Sequence, residues 1–134
     1  MTEPTTLPRF EELPMYTTVD DYLADKDPVA VDVFRHVRAL ILGLGDDVSE
    51  RVHASEISWS RGLLPFAAAF VYASRLEVAL DLPRRIHHAT LREAFPKKGP
   101  VTTHRLSVSS VDELDDHFVE LLDVAYRTAA EPRD

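Results

Sequence analysis

The chain has no cysteine. That excludes disulfides, thiolate metal sites and cysteine nucleophiles together, and it fits a reducing compartment. Glycine is scarce, at Gly43, Gly45, Gly62 and Gly99. There is accordingly no Gly-rich loop to cradle phosphates and no dinucleotide fingerprint. The sharp Gly-x-Ser-x-Gly turn of a serine hydrolase is missing too. No apolar run approaches the roughly 18 residues that a membrane span needs. Basic residues are outnumbered, 15 against 23, which leaves a formal net charge of −8. That balance disfavours nucleic-acid backbones and anionic membranes as partners, while leaving room for a local basic patch. The start of the chain lacks the basic-then-apolar pattern of a secretory leader, and the expected location is the cytoplasm.

What the chain does have is enough apolar residues for a core. Hydrophobic types make up 45% of 134 residues, which suits one domain without staples. Residues 1–17, with Pro4, Pro8 and Pro14, read as an N-terminal tail. Residues 18–130 read as one domain and 131–134 as a short C-terminal tail. Thr18 opens a short helix at capping spacing. Asp27-Pro28 opens the next, because proline at the first helical position gives up an amide that has no partner anyway. Phe34, Val37, Leu40 and Ile41 form its apolar face, and Gly43 and Gly45 are its stop signals.

From Val48 onward the period falls to two. Ile57 and Trp59 alternate with Ser58 and Ser60, and Gly62 marks a turn. Pro65 to Ala73 is apolar on both faces, which places it centrally in a sheet. Its alternation sets Phe66, Ala68, Phe70 and Tyr72 toward the core and Ala67, Ala69 and Val71 on the opposite side. Leu76, Val78, Leu80 and Leu82 form a half-buried strand that Pro83 ends. Arg84 to Pro100 is compatible with a helical turn or an extended edge, with Pro96 to Pro100 as a loop. A last strand carries His104, Leu106 and Val108 on one side and Thr103, Arg105 and Ser107 on the other. It leads into a long helix whose face is Val111, Leu114, Phe118, Leu121, Leu122 and Ala125. Ser110 and Glu113 have capping-box spacing.

The expected fold is α+β. It is an antiparallel β-meander of about four or five strands, with an N-terminal helical pair and a long C-terminal helix on one face. The other face is expected to carry Ser58, Ser60, Arg75, Glu77, Asp81 and Arg105 around a small-residue strip of Ala67, Ala69 and Val71.

Four pieces carry a family resemblance. They are Thr18-Val-Asp-Asp-Tyr-Leu, the Ala-Leu-Ile-Leu-Gly-Leu-Gly helix end before Asp47-Val-Ser-Glu-Arg51, the Phe66 to Leu82 hairpin, and Thr103-His-Arg-Leu with Val111-Asp-Glu-Leu-Asp-Asp116 and Ala125-Tyr126. Across residues 18 to 130 they resemble an uncharacterised bacterial domain-of-unknown-function family in the YdhG-like superfamily. The resemblance implies helices packed against an antiparallel sheet. Some distant relatives in that superfamily are described as frataxin-like iron chaperones, although fold similarity does not carry function.

Three functional expectations follow. The first is a non-catalytic binding or dimerisation module that uses the open sheet face to meet a protein partner or a second copy. The second is an intracellular iron chaperone. Asp112, Asp116 and Glu120 are spaced four apart, so like charges crowd and a hard cation would relieve them. Weak Fe²⁺ binding would be the only cofactor. The third is a small enzyme with a site near His104, at the start of a strand and in phase with the core. Ligand-binding candidates are His104, Arg105, Arg84 and Arg85. A solvated helix face and a hydrogen-bonded core histidine are the plainer alternatives. From Val111 to Asp134 the chain has eight acidic residues against two basic ones, and acidic side chains sit well at a helix start.

Overall fold

Thr18 accepts a hydrogen bond from the Asp21 amide at 3.0 Å and starts helix α1, Val19–Leu23. Asp27 caps helix α2, Pro28–Leu42, by accepting from the Val29 amide at 2.8 Å, with Pro28 at the first position as the sequence suggests. Helix α2 buries Ala30, Val33, Phe34, Val37 and Ile41. These features come from a computed structural model, which describes residues 18–88, 90–94 and 101–130. The two tails and the Pro96–Pro100 loop lie outside the described residues.

Six strands follow: β1 Val48–Val52, β2 Ile57–Arg61, β3 Leu64–Val71, β4 Leu76–Leu82, β5 Leu91–Ala94 and β6 Thr102–Val108. They form one antiparallel sheet in the order β1-β2-β3-β4-β6-β5. The expected α+β architecture is present, with six strands where the alternation suggests four or five. The sheet leaves simple meander order at its end, because β6 lies between β4 and β5. Leu91–Ala94 is the extended edge, not the helical turn.

The faces of β3 differ from the expectation, and a bulge is the reason. Trp59 pairs with Ala67 and Ser60 with Pro65, so Phe66 is an extra residue in the ladder. One inserted residue reverses the alternation beyond it. Phe66 and Ala67 are both buried, and from there Ala69 and Val71 also turn toward the helices. Ala68 and Phe70 occupy the open side instead. The strip of Ala67, Ala69 and Val71 expected on the open face therefore belongs to the core.

That core holds Tyr22, Phe34, Ile57, Trp59, Phe66, Leu76, Leu80, Leu82, Leu106, Phe118 and Leu122, all essentially sealed from solvent. Removing a side chain of this size from water is worth about 1.5–3 kcal/mol each. Polar ties fix the layers. Trp59 donates from its indole to Glu50 at 2.9 Å, and Arg38 of α2 grips the same carboxylate at 2.7 and 3.0 Å. The Tyr22 hydroxyl accepts from the Val71 amide and donates to the Ser55 carbonyl.

The closing helix α3, Asp116–Ala130, packs against β3 and β4. It begins later than the apolar spacing implies. Val111–Glu113 is a separate 3₁₀ turn, and Leu114, at ψ 68°, breaks the chain direction. Asp115 then caps α3 by accepting from the Phe118 amide at 2.8 Å. The expected Ser110/Glu113 box does not form, because neither of its two bonds is made. Glu113 accepts from the Ser109 amide at 2.6 Å, and the Ser110 side chain makes no capping bond.

Candidate functional site

Helices α2 and α3 lie on one side of the sheet. Among the described residues no helix covers the other side. Register places a row across it: Arg51, Ser58, Ala68, Ala79 and Arg105 are successive partners on β1, β2, β3, β4 and β6. Three small side chains therefore lie between two arginines. With Ser60, they floor an open groove of about 560 Å³. Arg51 and Glu56 stand at its β1–β2 side, and Asp81 stands on β4 across the floor. Asp81 also accepts from the Thr103 hydroxyl at 2.6 Å.

Beside the groove lies a buried carboxylate held by a cluster of arginines. Glu77 has no exposed surface although it is on the open face. Arginines seal it. Arg105 reaches one carboxylate oxygen with Nε at 3.1 Å and Nη2 at 2.7 Å. Arg75 reaches the other at 3.1 Å, and Arg92 binds that same oxygen. Arg105 also donates to the Tyr72 hydroxyl at 3.3 Å and lies over the Phe70 ring. Arg75 covers the Tyr72 ring. Burial pushes the Glu77 carboxyl up, but hydrogen bonds from Arg105 and Arg75 outweigh it and hold the group below the ordinary carboxylate range. Alternation alone puts Glu77 and Arg105 on this face. Arg92 carries no such signal, because its place depends on β5 pairing with β6.

The histidine and arginine candidates separate. His104 and Arg105, being neighbours on a strand, point to opposite faces. His104 is fully buried. One ring nitrogen, Nδ1, donates to the Thr102 carbonyl at 3.0 Å, and Nε2 accepts from the Ile86 amide at 3.0 Å. Both nitrogens are engaged, and no surface is open to a substrate. Burial pushes its pKa below the ordinary histidine value. Its role is to pin the chain after Pro83 onto the sheet. Arg84 and Arg85 are exposed. Arg84 borders a depression lined also by Ile86, His117, Glu120 and Arg127, and His104 itself is not part of that lining.

The acidic candidates do not converge. Asp112 lies in the 3₁₀ turn, before the break at Leu114, while Asp116 and Glu120 lie on α3. The four-residue spacing from Asp112 to Asp116 therefore does not run along one helix. All three are exposed. Among the described residues, no three His, Asp or Glu side chains form a group that could hold a metal. The nearby His88 ring is instead a structural tie. It donates to Asp115 at 3.1 Å and packs at a tilt against His117, with ring centres 4.8 Å apart.

Fold and site together define an α+β sheet domain with one helix-covered face and one partly charged face that no described helix covers. No described helix is long and apolar enough to cross a membrane. The chain belongs to the DUF5655 family, a domain of unknown function, whose model matches residues 19–129. That match carries no link to the YdhG-like superfamily or to frataxin-like proteins. Neither the curated proteins nor the solved structures yield a match.

Proposed function

We propose that this domain is a non-catalytic binding module of the cytoplasm whose open sheet face takes a second copy of the chain. The observation that carries the reading is the groove floor of Ser58, Ser60, Ala68 and Ala79 on a face that no described helix covers. Small side chains let two sheets approach to the roughly 10 Å of face-to-face packing. The groove also carries Arg51 on β1, with Glu56 beside it, and Asp81 across the floor on β4. A two-fold axis along the strands, midway between two facing floors, brings the β1 side of each copy, with Arg51, over the β4 side of the other, with Asp81. That is the self-complementary pattern a symmetric dimer requires.

The test is sedimentation equilibrium over a wide concentration range, with Ala68→Arg and Ala79→Arg as variants. The expected result is a dimer that both variants dissociate, with folding intact by circular dichroism. A chain that stays monomeric at the highest concentration, or a dimer indifferent to both variants, would overturn the proposal.

A further inference from the structure

We infer that the arginine cluster on the open face is a phosphate-binding site, which accepts the phosphate group of a small ligand. The cluster lies outside the groove lining, so this inference goes beyond the dimer reading and does not depend on it. A buried carboxylate needs one well-placed arginine to be satisfied. Glu77 has three: Arg75, Arg92 and Arg105. Among the described side chains the cluster thus has two positive charges beyond its one carboxylate. It does so in a chain whose formal charge is −8. Crowded like charges repel unless an anion joins them.

Donor geometry leads to the same conclusion. A guanidinium offers five N–H donors in a planar fork. Arg75 and Arg92 each place a single nitrogen on Glu77. Their side chains remain 40% and 54% exposed, so the remaining donors face solvent at the sheet surface. Glu77 acts as a buried anchor that holds the guanidiniums together. The Tyr72 and Phe70 rings stiffen Arg75 and Arg105 from beside. Preorganised arginines of this kind suit planar, two-bond recognition of oxyanions. An excess of two charges matches a phosphate monoester, which has about −1.5 to −2 at neutral pH. A carboxylate ligand would leave the excess half compensated.

The experiment titrates the full chain at low salt with inorganic phosphate, phenyl phosphate and acetate, and follows the arginine Nε resonances by NMR. Saturable shifts at Arg75 and Arg92 with the two phosphates, and none with acetate at equal ionic strength, are expected. Tighter binding of phenyl phosphate identifies a monoester site, and equal binding identifies a site for free phosphate. Arg75→Gln and Arg92→Gln should each weaken binding about tenfold, the value of one lost charge-assisted hydrogen bond. Shifts that climb without saturating, acetate that matches phosphate, or unchanged affinity in the double variant would each overturn the inference. Should the double variant unfold, Arg75→Lys decides alone. It keeps the charge and loses the fork, so undiminished binding overturns the site. Phosphate binding by a strictly monomeric protein would leave this inference standing while the dimer proposal falls.

Discussion

Replacing His104 with alanine should unfold much of what holds β6 to the chain after Pro83. Two losses add. The Ile86 amide loses its acceptor, Nε2 at 3.0 Å, and an unsatisfied buried donor costs about 1–3 kcal/mol. A ring with no exposed surface also leaves a cavity. Buried aromatic truncations cost about 3–5 kcal/mol, and a smaller, partly polar imidazole belongs at or below the low end. A total of about 3–5 kcal/mol follows, a large share of the ~5–15 kcal/mol that such a domain possesses. Trp59 is the single tryptophan, buried against Phe34 with ring centres 6.1 Å apart, so its fluorescence reports unfolding. Urea unfolding at about pH 7.5 should show the midpoint falling by roughly 2 M. The same variant isolates a pH effect. Burial lowers the folded pKa of His104. The unfolded chain therefore takes up a proton near pH 6.5, and the folded chain does not. The stability from this group is complete above that value. It is lost as pH falls from about 6.5 toward the lowered folded value. The native protein should lose stability over that window more steeply than His104→Ala. A loss under about 1 kcal/mol, or identical slopes, would refute the assignment of His104 as a buried neutral anchor.

Other expectations concern turns and carboxylates. Gly62 sits at φ 62°, where an added methyl would meet nothing within 4 Å, so Gly62→Ala should cost about 1–2 kcal/mol from backbone strain alone. Urea titration would detect it. Gly45→Ala is a steric case, because its methyl would collide with the Tyr126 hydroxyl and break the 2.5 Å bond from Tyr126 to Asp47. A cost of about 1–3 kcal/mol is expected in thermal unfolding, and an unchanged midpoint would contradict the packing. The Asp115 pKa is lowered, first by the Phe118 amide and then by His88. The stability it contributes is present above the ordinary carboxylate pKa and disappears as pH falls through the lowered value. Asp115→Asn should flatten that acid limb in a pH series of melts.

Local signals read well from the sequence. Thr18 and Asp27-Pro28 are side-chain chemistry acting within a few residues, and they occur where expected, as does the helix end at Gly43. The alternation of β4 and β6 is equally legible, since each has its apolar residues on one side. Expectation and structure part where a distant partner decides. The Phe66 bulge depends on how Trp59 and Ser60 pair, and it turns the small-residue strip inward. The break at Leu114 depends on Asp115 capping α3, with His88 also held by that carboxylate. The arginine cluster joins β4, β5 and β6. Residues 28 apart in sequence, Glu77 and Arg105, meet only because β6 enters beside β4. The His104 candidate rests on phase with Leu106, which correctly points inward and for that reason removes it from any open cleft.

The place of β6 also bears on how the chain is made. It is the last strand to be synthesised, yet it sits between β4 and β5. Until residues 102–108 leave the ribosome, β4 has one bare backbone edge beside Val78 and Leu80, and β5 has no neighbour. A nascent chain ending near Leu82 thus displays an unpaired strand beside an uncovered apolar surface, the combination that invites wrong pairing between chains. Assembly has to wait for the final quarter of the sequence, which brings the missing strand and α3 together. Folding that depends on such distant pairing is slow. A fragment lacking residues 102–130 should be insoluble by itself and rescued when that segment is supplied in trans.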